Sequence, residues 1–290
     1  MIMNKFLKCS WLILLVCIAG TSLFGQGFSF GILTDVHYAA IPDNGTRRYQ
    51  QSIDKVKQCL DTMNKKKVGF VIELGDFKDM PVPADRSCAM VYLKTIETIF
   101  SRFRGDRYHV LGNHDEDCIS KQDFNSIVHN SHIRKDLTYY AFQKGGYRFI
   151  VLDACFDSTG HDYDKGNFLW SDTNIPSTEL KWLDLQLKAT KLPVVIFVHQ
   201  PLFGKTKVSV GNAAAVRAVL EQSKKVLCVF QGHDHQGGYE LINGIHYYTL
   251  KALIEGNFPE SNSFAIVSLT QEKILIRGYG NAVSKFLEIR

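Results

Sequence analysis

Five short clusters of Asp, His and Asn carry the chemical interest of this 290-residue chain. They read Thr34-Asp35-Val36-His37, Gly75-Asp76-Phe77-Lys78-Asp79, Gly112-Asn113-His114-Asp115, His199-Gln200-Pro201 and Gly232-His233-Asp234-His235. Carboxylates offer hard oxygen, imidazoles a borderline nitrogen and Asn a neutral oxygen, a mixture that suits Mn, Fe or Zn better than calcium. One D-x-H or H-x-H pair means little, but five such clusters at the ends of successive apolar runs are not chance. Seven donors of this kind exceed the needs of one ion. With one carboxylate shared, seven side chains supply four contacts to each of two ions and leave positions for water and substrate. That is the composition of a two-metal hydrolytic site, in which the ions clamp the oxygens of an in-line displacement. Gly75, Gly112 and Gly232 precede their ligands where tight turns and close backbone approach are needed.

Elements that would position these clusters are visible in the periodicity. Phe28–Thr34 reads as a buried strand, and Arg47–Lys65 as a helix with Ile53, Val56, Leu60 and Met63 on one face. Phe70–Leu74, Ala89–Phe103 and Tyr108–Leu111 continue the alternation, which makes the first half βαβαβ. Tyr139–Gln143 and Tyr147–Asp153 flank Gly145-Gly146 as a hairpin. Thr178–Ala189, capped by Ser177 or Thr178, is expected to be helical, followed by strand Val194–Val198, a helix near Asn212–Gln222 and strand Val226–Phe230. The tail is all β: a hairpin over Leu241–Tyr248 turns at Asn243-Gly244, and Phe264–Leu269 pairs with Ile274–Gly278. The five clusters then fall at the carboxyl ends of strands, where open α/β sheets place their ligands. No repeat, low-complexity run or linker interrupts residues 26–290, so one domain is expected.

The motifs D-x-H, G-D-x-x-D, G-N-H-D, H and G-H-x-H, spanning Asp35 to His235, resemble the signature of the calcineurin-like metallophosphoesterases. The resemblance implies an α/β fold in which two mixed β-sheets pack as a sandwich flanked by helices. It also implies that Asp35, His37 and His235 hold one metal, that Asn113, His199 and His233 hold the other, and that Asp76 bridges them. By the same resemblance His114 lies beside the substrate phosphate, Asp115 orients and charges it, and Asp79 supports the ligands from behind. The stretch Phe30–Met63 is further similar to the manganese-dependent ADP-ribose and CDP-alcohol diphosphatases. That likeness brings Tyr38, Arg47 and Arg48 near the substrate, since guanidinium pairs well with phosphate oxygens; the alternative is that the two arginines are the solvated first turn of a helix. The expected reaction is hydrolysis of a small-molecule phosphate ester, with cleavage of a nucleotide diphosphate as one alternative and a non-catalytic metal- or phosphate-binding module as another.

The other five histidines have no such pattern. His109 falls in a strand, and His129 and His132 in a polar region, so structural positions are expected. His161 belongs to a long loop, Phe156–Asn174, that could cover the metals. Tyr163, Phe168 and Trp170 of that loop either stack on a base or sugar or simply pack the loop down. His246, after the Asn243-Gly244 turn, could return toward the site. A serine or cysteine hydrolase has no support, because no G-x-S-x-G elbow occurs and no Cys is paired with a His.

Composition bounds the rest. With 45% hydrophobic residues the chain can bury a large core, which excludes disorder, collagen and coiled coil. Lys5 and Lys8, the apolar run Trp11–Ala19 and small residues up to Gly25 have the layout of a secretory signal peptide, too short to span a bilayer. Secretion or a periplasmic location is therefore expected, with membrane contact only through that signal. Val16 before Cys17 is larger than a lipid-attachment motif takes. Residues 1–25 hold two lysines and no acid, which leaves 32 basic against 29 acidic residues. That balance argues against nucleic acid as a partner. Cys59, Cys88, Cys118, Cys155 and Cys228 remain, an odd number that implies no disulfide framework, although one bridge among Cys88, Cys118 and Cys155 is open.

Overall fold

The computed structural model describes residues 27–204 and 207–289. The expected export signal, residues 1–25, lies outside the described residues. β1 (Phe28–Leu33), α1 (Ser52–Lys66), β2 (Phe70–Glu73), α2 (Arg86–Phe100) and β3 (Asp106–His109) build the βαβαβ unit, with the three strands parallel neighbours. Helix α1 forms where Val56, Cys59, Leu60 and Met63 repeat at three- and four-residue intervals and bury one stripe. It starts at Ser52, five residues later than the periodicity suggests. The segment before it is bridged instead, Arg47 pairing with Asn44 and Glu255, so Arg47 and Arg48 belong to a loop.

A single 3₁₀ turn, Asn113–Glu116, follows β3, and α3 (Lys121–Ile127) begins at a capping box of Ser120 and Asp123. β4 (Tyr140–Lys144) and β5 (Tyr147–Val151) make the Gly145-Gly146 hairpin. Helix α4 (Ser177–Ala189), β6 (Val194–Phe197), α5 (Ala213–Ser223) and β7 (Val226–Gln231) then continue a second parallel set. The cap expected at Ser177 or Thr178 is absent: Pro176 takes that place, and no side chain there bonds the first turn. β8 (Gly238–Ile242) and β9 (Ile245–Thr249) turn at Asn243-Gly244, both at positive φ. β10 (Ser263–Leu269), β11 (Lys273–Gly280) and β12 (Lys285–Glu288) close the chain. β12 was not legible in the pattern: it is a four-residue edge strand with Phe286 exposed, held by pairing to β11 rather than by a buried face of its own.

These strands form two six-stranded mixed sheets, ordered β12-β11-β10-β1-β2-β3 and β4-β5-β6-β7-β9-β8. The expected α/β sandwich of two mixed sheets flanked by helices is the fold observed. Between the sheets lies an aromatic core of Phe30, Phe70, Phe149, Phe197 and Phe230, all fully buried. Each contributes about 1.5–3 kcal/mol relative to exposure. Phe30 stacks on Phe70 at 4.8 Å and meets Phe197 edge-on at 5.7 Å, so the contact crosses from one sheet to the other. Helices α1, α2 and α3 cover the outer face of the first sheet, and α4 and α5 that of the second. Cys59, Cys88, Cys118, Cys155 and Cys228 are all free thiols. The packing leaves the carboxyl ends of β1, β2, β3, β6 and β7 at one rim of the sandwich.

Candidate metal centre

At that rim the loops leaving the strands are fastened to one another by their backbones. Asp35 N–H donates to Gly75 O at 3.0 Å and His37 N–H to Asp76 O at 2.9 Å, which extends the β1–β2 pairing into the ligand loops. Ile254, beyond β9, donates to Asp35 O at 3.0 Å, and Gly232 to His199 O at 2.9 Å. Asp35, His37, Asp76 and His233 all sit at positive φ, between 47° and 66°. Non-glycine residues held there cost about 1–3 kcal/mol each and persist only where the surroundings over-determine them. Close approach explains two glycines: a Cβ on Gly112 would stand 2.2 Å from Asp76 N, and one on Gly232 2.0 Å from Thr34 Oγ1.

The seven residues singled out by the motifs converge. Asp35, His37 and His235 bring potential ligand atoms within 4.8 Å of one another, as do Asp76, His199 and His233. Asp76 joins the two groups, with Oδ2 3.5 Å from His37 Nε2 and 3.2 Å from His199 Nε2. Asp35 Oδ1, His37 Nε2, Asn113 Oδ1 and His233 Nε2 are buried without any hydrogen-bond partner. An orphaned buried polar atom costs about 1–3 kcal/mol, and a cation bound among these four would satisfy all of them. Three of the imidazoles are also braced from behind. His37 Nδ1 faces Asp79 Oδ2 at 3.0 Å, His235 Nδ1 faces Glu255 Oε1 at 2.6 Å, and His199 Nδ1 faces Leu74 O at 2.8 Å. With the proton held on that rear nitrogen, each presents the lone pair of the other to the centre, as a metal-bound histidine requires. Two carboxylates, one amide oxygen and four imidazoles therefore fit transition-metal ions.

Charge in the centre is mutually compensated when no cation is bound. Burial opposes ionisation of Asp35, but the His37 contact and the charges of His199 and His235 outweigh it and hold the carboxyl well below its ordinary range. Asp76 is likewise held low against burial, chiefly by His199 and His114. In return His199, despite burial, is raised to about 9 by Asp76 and Asp35. His233 is pushed down to about 3 by burial and by the charge of His199, whose Nε2 is 3.2 Å from its Nδ1. Cation binding must therefore displace protons from this cluster.

His114 lies at the same rim, its ring 4.8 Å from that of His37. Asp115 does not orient it. The Asp115 carboxylate folds back onto four backbone amides: Oδ2 accepts from Gly112 N at 2.9 Å and Asp76 N at 3.1 Å, Oδ1 from Phe77 N at 2.9 Å and Lys78 N at 3.3 Å. Burial and the Asp76 charge still push its carboxyl up to about 6. The residue that meets His114 is Asp117, with Oδ2 2.6 Å from Nδ1. Neither Asp117 nor Glu255 belongs to a motif. The only sequence signal for Asp117 is its position three residues after His114, and Glu255 has none.

A cavity of about 600 Å³ opens above the cluster, lined by Asp76, Asn113, His114 and His233 on its floor and by Arg47 and Trp170 at its sides. Of the three residues expected near substrate, only Arg47 lines it. Arg48 is engaged elsewhere, donating to Asn257 Oδ1 at 2.6 Å and to Gly45 O at 2.8 Å, because the loop turns it away. Tyr38 is buried against Tyr92, with ring centroids 5.9 Å apart, and belongs to the α1–α2 side of the core. In the 156–174 loop Tyr163 stacks on Phe168 at 3.8 Å and packs the loop down, whereas Trp170 is half-exposed and 5.8 Å from the His233 ring. His161 is exposed and bonds Thr159 within its own loop. His246 is held by Tyr239 and the Glu288 carbonyl, outside the cavity. His109 is buried beside Glu97, and His129 and His132 are exposed.

The calcineurin-like phosphoesterase family model matches residues 28–237. Over 87% of this chain, and 91% of the relative, the sequence is 30% identical to a manganese-dependent ADP-ribose/CDP-alcohol diphosphatase from Oryza sativa subsp. japonica. It is 26% identical to the protein of the same description from Bos taurus over 91% of this chain and 94% of that one. Among solved structures, a dimetal phosphatase from Danio rerio superposes with a TM-score of 0.79 at 25% identity, covering 91% of this chain and 99% of the other. The chain thus belongs to the calcineurin-like phosphoesterases, metal-dependent hydrolases of phosphate esters.

Proposed function

We propose that the chain is a dinuclear, manganese-dependent diphosphatase that splits the P–O–P linkage of a nucleotide diphosphate such as ADP-ribose or a CDP-alcohol. The observation that carries this reading is the similarity to diphosphatases along nearly the whole length of both chains. The cavity supports it: a cation cluster on the floor, Arg47 for a second phosphate and Trp170 for an aromatic ring suit a substrate larger than inorganic phosphate. Asp35, His37 and His235 would hold one ion, Asn113, His199 and His233 the other, with Asp76 shared. The bound ions would neutralise phosphoryl oxygens and lower the pKa of water. Hydroxide, left when water gives a proton to bulk solvent, bonds through its oxygen to one phosphorus as that phosphorus loses its P–O bond to the second phosphate. The electron pair leaves with that phosphate oxygen, toward which His114 donates a hydrogen bond. Asp79 and Glu255 keep His37 and His235 facing the centre. We further propose, from the layout of residues 1–25, that the enzyme works outside the cytoplasm.

Purified protein supplied with Mn should convert ADP-ribose to AMP and ribose 5-phosphate, and Asp76→Asn should abolish the reaction. Release of nitrophenol from an aryl phosphodiester without any AMP from ADP-ribose would discard the diphosphatase in favour of a simpler phosphodiesterase. Less than one Mn bound per chain would favour the non-catalytic module, against which the completeness of the ligand set argues.

A further inference from the structure

Asp76, Asp79 and Asp117 bring carboxylate oxygens close to His114, Asp76 being a candidate metal ligand, and the other commitments of the remaining two and of the neighbouring Asp115 separate them. Asp115 is spent on four backbone amides. Asp79 accepts from His37 Nδ1 at 3.0 Å through Oδ2 and from Met80 N at 2.6 Å through Oδ1; its nearest approach to His114 Nδ1 is 3.6 Å, beyond a hydrogen bond. Asp117 alone makes the short contact, at 2.6 Å. The local backbone explains why. Asn113–Glu116 is a 3₁₀ turn closed by Asp117 N–H onto His114 O, and in that geometry side chains three residues apart eclipse one another. Position 117 is thereby stacked on position 114, while 115 lies a third of a turn away. Lys78 Nζ donates to the His114 carbonyl and ties the turn to the loop that carries Asp76.

We propose that Asp117 is the positioning residue of the reaction: it accepts from His114 Nδ1–H, fixes the plane of the ring and reserves Nε2 for the leaving oxygen of the substrate. Nε2 makes no hydrogen bond or ion pair among the described residues, and the ring lines the cavity. Asp79 is correspondingly a support for His37. The inference rests on phosphate-ester hydrolysis at this site and does not depend on which nucleotide is cleaved. It concerns an interaction within the chain, so it can be read with and without metal.

Two readouts test it. In metal-free protein, imidazole N–H spectra should contain a low-field His114 Nδ1–H signal, identified by its absence in His114→Ala. That signal should vanish in Asp117→Ala, shift in Asp117→Asn and persist in Asp79→Asn; a signal that responds only to Asp79→Asn overturns the assignment. In Mn-loaded protein, 4-nitrophenyl and phenyl esters of thymidine 5′-phosphate differ mainly in how much the leaving oxygen needs a proton donor. Asp117→Ala should lower kcat on the phenyl ester by roughly a hundredfold and on the nitrophenyl ester by no more than about tenfold, with KM and bound Mn unchanged. Asp117→Asn, which keeps an acceptor oxygen, should recover part of the loss. Equal losses on both esters, loss of Mn, or no loss would each overturn the positioning role. Wild-type protein inactive on both esters and on ADP-ribose would instead remove the hydrolase reading, and the spectra would still report whether the His114–Asp117 pair exists.

Discussion

Removing the Asp115 side chain should cost stability before it costs chemistry. In Asp115→Ala the amides of Gly112, Asp76, Phe77 and Lys78 all lose their acceptor in a fully buried place. At about 1–3 kcal/mol per unsatisfied donor the four sum to between roughly 4 and 12 kcal/mol, and water entering the vacated volume brings the expectation to the low end, about 4 kcal/mol. For a chain of this size that is a fall in Tm of about 10 °C, measurable by calorimetry or by circular dichroism on metal-free protein. Asp115→Asn should be nearly as harmful, because its NH2 would face two of the four donors. Metal affinity should fall in parallel, since Asp76 and Asn113 are held by the two segments that Asp115 joins. An Asp115→Ala protein that melts within about 2 °C of the parent but is inactive would refute this reasoning and return Asp115 to a direct role at His114.

Three further outcomes are expected. Glu255→Ala should weaken Mn binding about 10- to 100-fold in a chelator-competition titration, because His235 loses the acceptor that fixes its ring; unchanged affinity would show that the 2.6 Å contact does not orient the ligand. His199 is raised to about 9 from an ordinary 6.5, so its contribution to the stability of metal-free protein is full below about pH 6.5 and lost as pH rises through about 9. Tm measured in chelator should decline across that window and decline less with Mn, which replaces the proton; identical slopes with and without Mn would count against His199 as a ligand. Trp170→Ala should raise KM for a nucleotide substrate by about 2- to 12-fold, as loss of an aromatic contact of ~0.5–1.5 kcal/mol requires, while leaving KM for an aryl phosphate unaffected; equal changes for both would remove the indole from substrate contact.

The candidate metal ligands were legible in the sequence because chemistry fixes residue type and the fold fixes position: Asp35, Asp76, Asn113, His199 and His233 each follow a strand that periodicity alone reveals. What supports them was not. Glu255 reaches His235 from the connection after β9, through tertiary packing with no local pattern. Asp115 stands next to His114 in sequence and so looked like its partner, but a 3₁₀ turn brings together residues three apart, which adjacency hides. Arg47 and Arg48 are chemically interchangeable on paper, and only the bridged loop before α1 decides that one lines the cavity and the other is bonded to Asn257. Cys59, Cys88, Cys118, Cys155 and Cys228 illustrate the same limit, since their free state depends on placement rather than count.

Each ligand group draws on both sheets. Asp35 and His37 leave the first sheet and His235 the second; Asp76 and Asn113 come from the first, His199 and His233 from the second. A cation seated there would act as a rivet across the sandwich, its binding free energy adding to the cost of prying the layers apart. Half-assembled chain, with only one sheet formed, offers fragments of either ligand set and has little hold on metal. A bound metal would thus favour the assembled sandwich over either sheet alone, and chelation should speed the separation of the sheets more than it alters either sheet alone.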